Sequence, residues 1–227
     1  MSAWYFLDSG AGDFALNMAL DEALLEAMPL LARPVLRFYG WRQPAASFGY
    51  FQKYADVERM THLRPLVRRP TAGGLVPHEE DWTYSLVFPA VHQWYAFAAT
   101  ESYRRVHEWL RDAFALLSVA TELAPCRCKA QEGQCFLGHE QFDLIRQGRK
   151  IAGAAQRRRR DGLLIQGSVQ PPPPGLARAD WQAAMLEVPR RAAQTQWLEF
   201  QPDARLDARV HELAANKYSQ PNYNQRR

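Results

Sequence analysis

The spacing of apolar residues changes along the first part of the chain from a strand pattern to a helix pattern and back. Residues Trp4–Leu7 have the composition of a short strand. Apolar residues three and four positions apart predict a helix over Asp13–Met28, whose end Pro29 and Pro34 bracket, and Val35–Tyr39 predicts the next strand. Strand and turn signals then continue as far as Phe88.

Further along, one polar interruption and one amphipathic helix stand out. A short polar segment over Asp56–Thr61 interrupts the strand signals. An apolar face at helical spacing predicts a helix over Glu101–Leu117, with Thr100 as its N-cap.

A three-stranded meander follows. Its predicted strands are Phe142–Arg146, Arg149–Gln156 and Leu163–Val169, and glycine-containing turn dipeptides separate them. The charge run Arg157–Arg160 falls at the tip of the second turn. Residues 175–227 carry helical patterns but are few for an independent domain. We therefore expect residues 1–227 to form one α+β domain, with mixed and antiparallel sheets packed against helices and the C-terminal helical segment docked on it.

The composition is that of an ordinary globular chain. Apolar residues make up 47% and charged residues 23% of 227 residues, which excludes intrinsic disorder. No uncharged apolar run reaches the ~18–20 residues that a membrane span needs. Three cysteines argue against a disulfide framework, and Met1–Asp8 lacks the pattern of a secretory signal, so we expect a cytoplasmic location. A net charge of +4 favours acidic partners without choosing among them, and the Arg157–Arg160 run lacks the interleaved aromatics of a nucleic-acid site.

Two segments have a pattern that allows a ligand to approach the backbone. In the first, Gly73 and Gly74 follow a strand, so their N–H groups are accessible to a ligand, although the Gly-Gly pair alone favours an ordinary glycine turn and no P-loop motif is present. In the second, alternation places Lys150, Ala152, Ala154 and Gln156 on one face of a strand with few large side chains. An exposed strand under a helix, with Lys150 as a solvated charge, is the alternative interpretation.

The cysteines allow three interpretations. Cys126, Cys128, Cys135 and His139 provide the four ligands of a zinc site, but the Cys-x-Cys spacing is tighter than that of a usual zinc knuckle. Alternatively, Cys135 is a nucleophile in a glycine-flanked loop, because a thiolate is intrinsically nucleophilic. The third possibility is three inert thiols.

Taken in order, the motifs resemble those of the lipoate/biotin protein ligase family, whose catalytic domain has a class II synthetase-like fold and serves both ATP-dependent ligases and acyltransferases. The resemblance spans nearly the whole chain. It is carried by the segments Gly12–Leu25, Ser47–Lys53, Arg68-Arg69-Pro-Thr71-Ala72-Gly73-Gly74-Leu-Val-Pro-His78 with Asp81–Ser85, Gly148-Arg-Lys150-Ile-Ala-Gly153-Ala154-Ala155-Gln156, and Lys217-Tyr218 to Tyr223-Asn224.

Within the family, the chain is more similar to LipM-type octanoyltransferases than to ligases. Ligases typically carry an Asn-Asp pair before the lysine strand, where this chain has Phe142-Asp143, and they often add an accessory domain after the catalytic one. Cys135 stands where the octanoyltransferases place their nucleophile, and Gly49–Gln52 resembles them as well. The family's glycine, serine and histidine are replaced by Ala72, Ala154 and Gln166.

The resemblance implies a cofactor-free transfer of an octanoyl group from acyl carrier protein, through a thioester on Cys135, to a lysine of a lipoyl domain such as the glycine cleavage H protein. Lys150 is then the second catalytic residue, and neither nucleic acid nor membrane takes part. The implied substrate-binding residues are Arg69, Thr71, Ala72, Gly73, Gly74, His78, Tyr84, Gly153, Ala154, Ala155, Gln166 and Gly167.

Three other functions remain open at this point. An ATP- and magnesium-dependent lipoate ligase and a lipoyl amidotransferase would use the same fold. A binding module without catalytic activity would only dock acyl carriers. The acyl-chain specificity, the acceptor protein and the oligomeric state are not determined by the sequence.

Overall fold

The computed structural model describes residues 2–129, 133, 135–136 and 138–226. Within them the helices are α1 (Phe14–Leu31), α2 (Tyr54–Met60), α3 (Gln93–Ala96), α4 (Ala99–Leu116), α5 (Arg178–Ala193), α6 (Ala204–Leu213), a π-helical turn (Ala214–Tyr218) and α7 (Pro221–Asn224). The strands are β1 (Ala3–Gly12), β2 (Val35–Trp41), β3 (Ala45–Phe48), β4 (Leu66–Arg68), β5 (Val76–His78), β6 (Trp82–Pro89), β7 (Glu122–Leu123), β8 (Cys128–Lys129), β9 (Gly138–His139), β10 (Leu144–Arg146), β11 (Arg149–Arg159), β12 (Gly162–Val169) and β13 (Gln196–Glu199).

A large mixed sheet forms the centre of the described structure, in the strand order β13-β1-β2-β6-β12-β11-β10-β7. Strand β1 is parallel to β2 and β13, and the pairings from β2 to β7 are antiparallel. A second, smaller sheet has the order β4-β3-β5, and β8 pairs with β9. The α+β class with mixed and antiparallel sheets is therefore as predicted.

Each face of the large sheet is covered by helices, so both faces are apolar. On one face, Trp181 of α5 and Leu110 of α4 pack against Tyr84 and Phe38. On the other face, α1 packs over β6 and β12, and α6 packs against α1. Asp13 begins α1 as its N-cap, with its carboxylate accepting the N–H of Ala15 at 2.9 Å.

The edge of β11 is only partly covered, and this determines where the site forms. Strand β10 pairs with Arg149–Ala152 of β11, whereas β11 itself continues to Arg159. Within the described residues, no strand pairs with the rest of this edge. A bulge in β11 between Lys150 and Ala152 also interrupts the regular alternation of side chains.

Two buried charged side chains bind the C-terminal residues to the rest of the protein. The Arg68 guanidinium, which is fully buried, donates to the carbonyls of Tyr223, Asn224 and Arg226 and also to the carbonyls of Tyr50 and Gln52. It therefore ties the end of the chain to the loop that follows β3.

The second group is the Glu22 carboxylate on α1. Its side chain is 4% exposed, and it accepts from Lys217 Nζ at 2.5 Å, from the Tyr218 hydroxyl at 2.6 Å and from Arg159 at 3.1 Å. Burial acts to raise the pKa of Glu22, but Lys217 and the other donors outweigh it, so the pKa lies below its usual value.

Several predicted elements differ from the structure. Arg157–Arg160 was expected at a loop tip, but β11 continues to Arg159. Strand β12 pairs with β11 along this length, and Arg159 forms an ion pair with Glu22. The polar segment over Asp56–Thr61 lies largely within α2. The N-cap of α4 is Ala98, without a side-chain hydrogen bond, so the Thr100 prediction is wrong.

Helix α1 and the C-terminal segment have features that the sequence patterns did not indicate. The helix continues through Pro29 to Leu31 and ends before Pro34, within the predicted bracket, and its C-cap Ala32 adopts the left-handed conformation. Residues 175–227 contain the predicted helices and also β13, which adds to the edge of the large sheet beside β1. No helix within the described residues combines the length and the apolar character that a membrane span needs.

We expect Glu22→Gln to lower the free energy of unfolding by about 2–4 kcal/mol, because it leaves Lys217 partly buried without a counter-charge. The pKa of Glu22 is lower in the folded protein than in the unfolded chain. Its contribution is therefore complete above about pH 4.3 and is lost as the pH falls through the lower folded-state pKa. Urea unfolding of both proteins from pH 7 to pH 3 measures the difference.

The matched control is Glu26→Gln on the same helix. Glu26 pairs with Arg209 at 2.8 Å, but its side chain is 29% exposed, so we expect a loss of at most about 1 kcal/mol. If Glu22→Gln and Glu26→Gln lower the free energy of unfolding equally, the buried Glu22 carboxylate contributes no more than an exposed one and the prediction is wrong.

Candidate active site

Two pockets meet at Cys135 and Lys150, which line both of them. The inner pocket lies between the large sheet and the loop that follows β4. It is lined by Met18, Tyr39, Trp41, Ser47, Arg69, Val76, His78, Thr83, Cys135, Phe136, Lys150, Gly153, Ala154, Ala155, Gln166, Gly167 and Ser168. The outer pocket lies beside the uncovered edge of β11. It is lined by Gln52, Gly73, Gly74, Ala99, Thr100, Tyr103, Gly133, Cys135, Gly138, His139, Glu140, Gln141, Phe142, Lys150, Ala154 and Gln156.

The loop that separates the pockets is shaped by the side chain of Arg69. Its guanidinium donates to the Ala72 carbonyl at 2.7 Å and to the Gly74 carbonyl at 2.8 Å. The intervening Gly73 has φ +91°, a left-handed conformation that favours glycine, whereas Ala72 does not have a positive φ. The alanine at position 72 is therefore compatible with this backbone.

Cys135 is held against this loop by main-chain hydrogen bonds. The Cys135 N–H donates to the Leu75 carbonyl at 3.1 Å, and the Leu75 N–H donates to the Gly133 carbonyl at 2.8 Å. Gln52 reaches the same Gly133 carbonyl at 3.0 Å. The Gly74 N–H then points at the sulfur, with 3.0 Å between nitrogen and Sγ, so a backbone donor stabilises negative charge on Sγ.

Lys150 forms a buried ion pair. Its Nζ lies 2.7 Å from Asp143 Oδ2, and the two side chains are 6% and 0% exposed. The other oxygen of Asp143 accepts from the Tyr103 hydroxyl, and the Glu140 N–H donates to Oδ2 at 2.6 Å. Burial and the Asp143 carboxylate raise the pKa of Tyr103 well above its usual value, so the phenol keeps its proton and donates it.

Gly153 provides the space for the end of Lys150. A Cβ on Gly153 would lie 2.6 Å from Lys150 Nζ and 3.1 Å from Asp143 Oδ1. The end of the Lys150 side chain lies beside Gly153, and Lys150 lines the outer pocket together with Ala154 and Gln156 of its predicted face.

A network of polar side chains forms the far wall of the inner pocket. His78 lies between Ser47 and Asp81, at 2.8 Å from each through its two ring nitrogens, and it stacks on Trp41 with ring centroids 3.9 Å apart. Burial acts to raise the pKa of Asp81, but His78 and two hydroxyl donors outweigh it, so the pKa lies below its usual value. This wall is polar but internally hydrogen-bonded, so it presents few free polar groups to the pocket.

Gln166 also contributes to a hydrogen-bonded wall. It accepts from the Thr71 hydroxyl and donates to Asp21 Oδ2, both at 2.7 Å. Thr71 and Ala72 therefore act on the pocket through Gln166 and Arg69 and do not line it. Tyr84 was also expected at the site, but it packs against Trp181 in the core under the sheet. The expected Gly167 leaves room for the Tyr84 ring, because a Cβ on residue 167 would collide with that ring.

Nothing in the described residues supports the zinc interpretation. Cys126 and Cys128 are exposed free thiols, and Cys128 is opposite His139 in the β8–β9 pair. No group of three or more His, Cys, Asp or Glu residues with the arrangement of a metal site occurs in the described part of the chain.

Sequence reasoning missed several residues of the site. Asp143 was noted only as the residue that follows the absent asparagine, and Tyr103 only as part of an apolar helix face. Ser47 lies in a segment that carried the resemblance but was not singled out. The signal for Asp143 was a charged residue inside a predicted strand, whereas nothing in the sequence connects Tyr103 to a strand about 40 residues away.

Comparison with solved structures identifies the class of fold. A lipoate-protein ligase A with bound ATP superposes with a TM-score of 0.80 at 19% identity, covering 99% of each chain. A bi-partite lipoate protein ligase from Thermoplasma acidophilum gives a TM-score of 0.74 at 18% identity, covering 99% of this chain and 97% of that one. The fold is that of the lipoate-protein ligase catalytic domain, which confirms the class II synthetase-like prediction.

The family model for the lipoyl protein ligase A/B catalytic domain matches residues 13–170, and the chain belongs to this family. Curated relatives are named octanoyltransferase LipM. The protein of Halalkalibacterium halodurans is 36% identical over 182 residues, 74% of this chain and 66% of the relative. Those of Bacillus subtilis and Carboxydothermus hydrogenoformans are 36% identical over 183 residues and 38% identical over 175 residues. These two alignments cover 73% and 74% of this chain and 64% and 65% of the relatives, so the matched part spans about two thirds of each relative.

The space beside Gly153 generates a prediction. We expect Gly153→Ala to displace Lys150 from Asp143 and to lower the free energy of unfolding by about 1–3 kcal/mol. In a Lys150→Ala protein the same change should cost no more than about 0.5 kcal/mol, because the obstructed atoms are gone. Chemical unfolding of the wild type, the two single variants and the double variant gives the coupling energy between residues 153 and 150. The general effect of Gly→Ala on the unfolded chain cancels from this coupling energy, because it is the same in both backgrounds. Additive losses would contradict the contact.

Proposed function

We propose that the protein transfers an octanoyl group from octanoyl-acyl carrier protein to a lysine of a lipoyl domain, through a thioester on Cys135. The observation that supports this most directly is the position of Cys135, whose sulfur accepts the Gly74 N–H where the two pockets meet. The octanoyltransferase names of the relatives support the choice of acyl group. Residues 1–227 are proposed to act as one domain, and the cytoplasmic location stays a prediction.

The inner pocket has the apolar lining that an acyl chain needs. Met18, Tyr39, Val76 and Ala155 contribute apolar surface, and the polar wall groups are already hydrogen-bonded to one another. Burying an acyl chain contributes about 0.8 kcal/mol per CH₂ group, so an eight-carbon chain gains several kcal/mol. The outer pocket opens on the same sulfur and fits the arm of the acyl carrier and, in the second step, the lysine of the acceptor.

The first step is a thioester exchange. The Cys135 thiolate attacks the donor carbonyl, a new C–S bond forms to Sγ, and the C–S bond to the carrier breaks. The carrier leaves as a thiolate and takes up a proton from solvent, which balances the proton that Cys135 released. The donor and the octanoyl-enzyme are both thioesters of similar free energy, so the step needs no ATP.

The second step is aminolysis. The neutral amine of the acceptor lysine attacks the acyl-enzyme carbonyl, a C–N bond forms, and the C–S bond to Cys135 breaks. The nitrogen loses one proton to solvent, and Cys135 is regenerated as a thiolate. An amide is more stable than a thioester, so the transfer proceeds without a cofactor.

Lys150 acts in both steps as a hydrogen-bond donor to the oxygen of the tetrahedral intermediate. Its ion pair with the buried Asp143 fixes the position of Nζ, from which it stabilises negative charge on the intermediate. Tyr103 and the Glu140 N–H complete the hydrogen bonds of Asp143 and thereby hold Lys150 in place.

Intact mass spectrometry tests the proposal. Mixing the protein with octanoyl-acyl carrier protein, without ATP, should add one octanoyl group, which apo H protein then removes. Cys135→Ser should abolish the adduct. The matched control, Cys126→Ser with Cys128→Ser, should keep it, because both of these thiols are exposed and neither lines a pocket.

Other outcomes would identify the alternatives. Octanoyl-AMP formation only when ATP and magnesium are added would show a ligase. An adduct only from lipoyl-H protein would show an amidotransferase. Carrier binding without any adduct, unaffected by Cys135→Ser, would show a binding module, and each of these results contradicts the octanoyltransferase proposal.

Lys150→Met should slow the formation of the octanoyl-enzyme by about 10²–10³-fold, the loss typical for one oxyanion donor. Single-turnover rates at saturating donor measure this, and the KM for the donor should change little. A loss confined to KM would show that Lys150 binds the carrier and does not stabilise the intermediate.

A further inference from the structure

Arg69 is a buried cation without a carboxylate partner in the described residues. The residue is 4% exposed, and its hydrogen bonds go to the carbonyls of Ala72, Gly74 and Ser47 and to the Ser47 hydroxyl. Two other buried cations of this region have carboxylate partners, since Arg37 pairs with Asp21 and Lys150 with Asp143, both at 2.7 Å. A buried charge without a counter-charge is costly, so a negative group is expected beside Arg69.

Cys135 is the group in the right place. A Cβ on Gly73 would lie 2.7 Å from Arg69 Nη2 and 3.7 Å from Cys135 Sγ, so both side chains lie beside the same residue of the loop. The Cys135 side chain is close enough to act on the guanidinium: burial lowers the pKa of Arg69, and the interaction with Cys135 acts in the opposite direction.

The other ionisable groups around the sulfur do not replace this pairing. Tyr39 also lies near Arg69, but burial and Asp21 raise its pKa well above the usual value, so it is neutral. Lys150 and Tyr103 are both bound to Asp143. His139 lines the outer pocket with its Nδ1 buried and unpartnered, and it is the one rival for activating the thiol among the described residues.

We propose that Arg69 and Cys135 form a guanidinium–thiolate ion pair, and that Arg69, not Lys150, is the catalytic residue that keeps the nucleophile ionised. The same guanidinium holds the Ala72 and Gly74 carbonyls, so it also directs the Gly74 N–H at the sulfur. The two cations of the site then have separate tasks: Arg69 acts on the sulfur, and Lys150 acts on the oxygen of the intermediate.

The inference rests on the proposed function and adds a role in both steps. In the first, Arg69 stabilises the attacking thiolate, whose proton has gone to solvent. In the second, the C–S bond breaks and the sulfur leaves as a thiolate beside the same guanidinium. No oxidant, metal or further reactant is needed.

Alkylation of the thiols by iodoacetamide tests the ion pair without any acyl donor, so its result is independent of the acyl-transfer assay. Peptide mass spectrometry follows the three cysteines separately at pH 6.5 and pH 9.5. Cys135 is less exposed than Cys126 and Cys128, yet it should react fastest at pH 6.5. In Arg69→Gln the rate of Cys135 alkylation at pH 6.5 should fall roughly tenfold or more, and the loss should shrink at pH 9.5, which lies above the pKa of an ordinary free cysteine.

Three variants serve as controls. Arg69→Lys keeps the charge and should retain part of the rate. Lys150→Met should slow acyl transfer but change the rate of Cys135 alkylation by less than about twofold. His139→Gln should also change the rate of Cys135 alkylation by less than about twofold. Circular dichroism checks that each variant is folded.

The proposal is overturned if folded Arg69→Gln alkylates like the wild type, or if Lys150→Met or His139→Gln slows alkylation as much. If Arg69→Gln does not fold, the comparison within the wild-type protein decides. A Cys135 that reacts no faster than the two exposed cysteines at pH 6.5 contradicts the ion pair. Failure of octanoyl transfer with rapid Cys135 alkylation would instead contradict only the proposed function.

Discussion

The site depends on one buried guanidinium. Arg69 holds the carbonyls of Ala72 and Gly74, and this forces the peptide between them into the left-handed turn at Gly73. The Gly74 N–H is thereby directed at Cys135, and Leu75 bonds the Gly133 carbonyl and the N–H of Cys135 itself. Because a buried arginine needs acceptors for its donors, the side chain selects this loop conformation over others.

Lys150 depends on a second arrangement, at the edge of the sheet. Strand β10 stops pairing with β11 at Ala152, which leaves space for α4 to bring Tyr103 beside Asp143. Gly153 leaves the volume in which the ammonium lies. Arg69 and Lys150 therefore lie beside the Cys135 thiol on different elements, Arg69 in the loop after β4 and Lys150 in β11. Each has its own hydrogen-bond partners.

The C-terminal residues support the site from outside. Arg68, next to Arg69, binds the carbonyls of the last turn of the chain and those of the loop after β3. Gln52 in that loop in turn bonds Gly133, near Cys135. Neighbouring arginines thus have different tasks: one joins the end of the chain to the loop, and the other shapes the backbone around the sulfur.

The amino-acid sequence alone is enough to predict the α+β class, the main helices and strands and the family, and it singles out Cys135 and Lys150 as candidate site residues, because these predictions follow from local periodicity and from short motifs in a fixed order. In contrast, the positions of Arg157–Arg159 in a strand and of β13 in the large sheet depend on pairing and packing partners far away in the chain. The same holds for the contacts of Tyr103 with Asp143. Which charges pair in a buried site is set by the side chains that the fold brings together, and no local pattern contains that information.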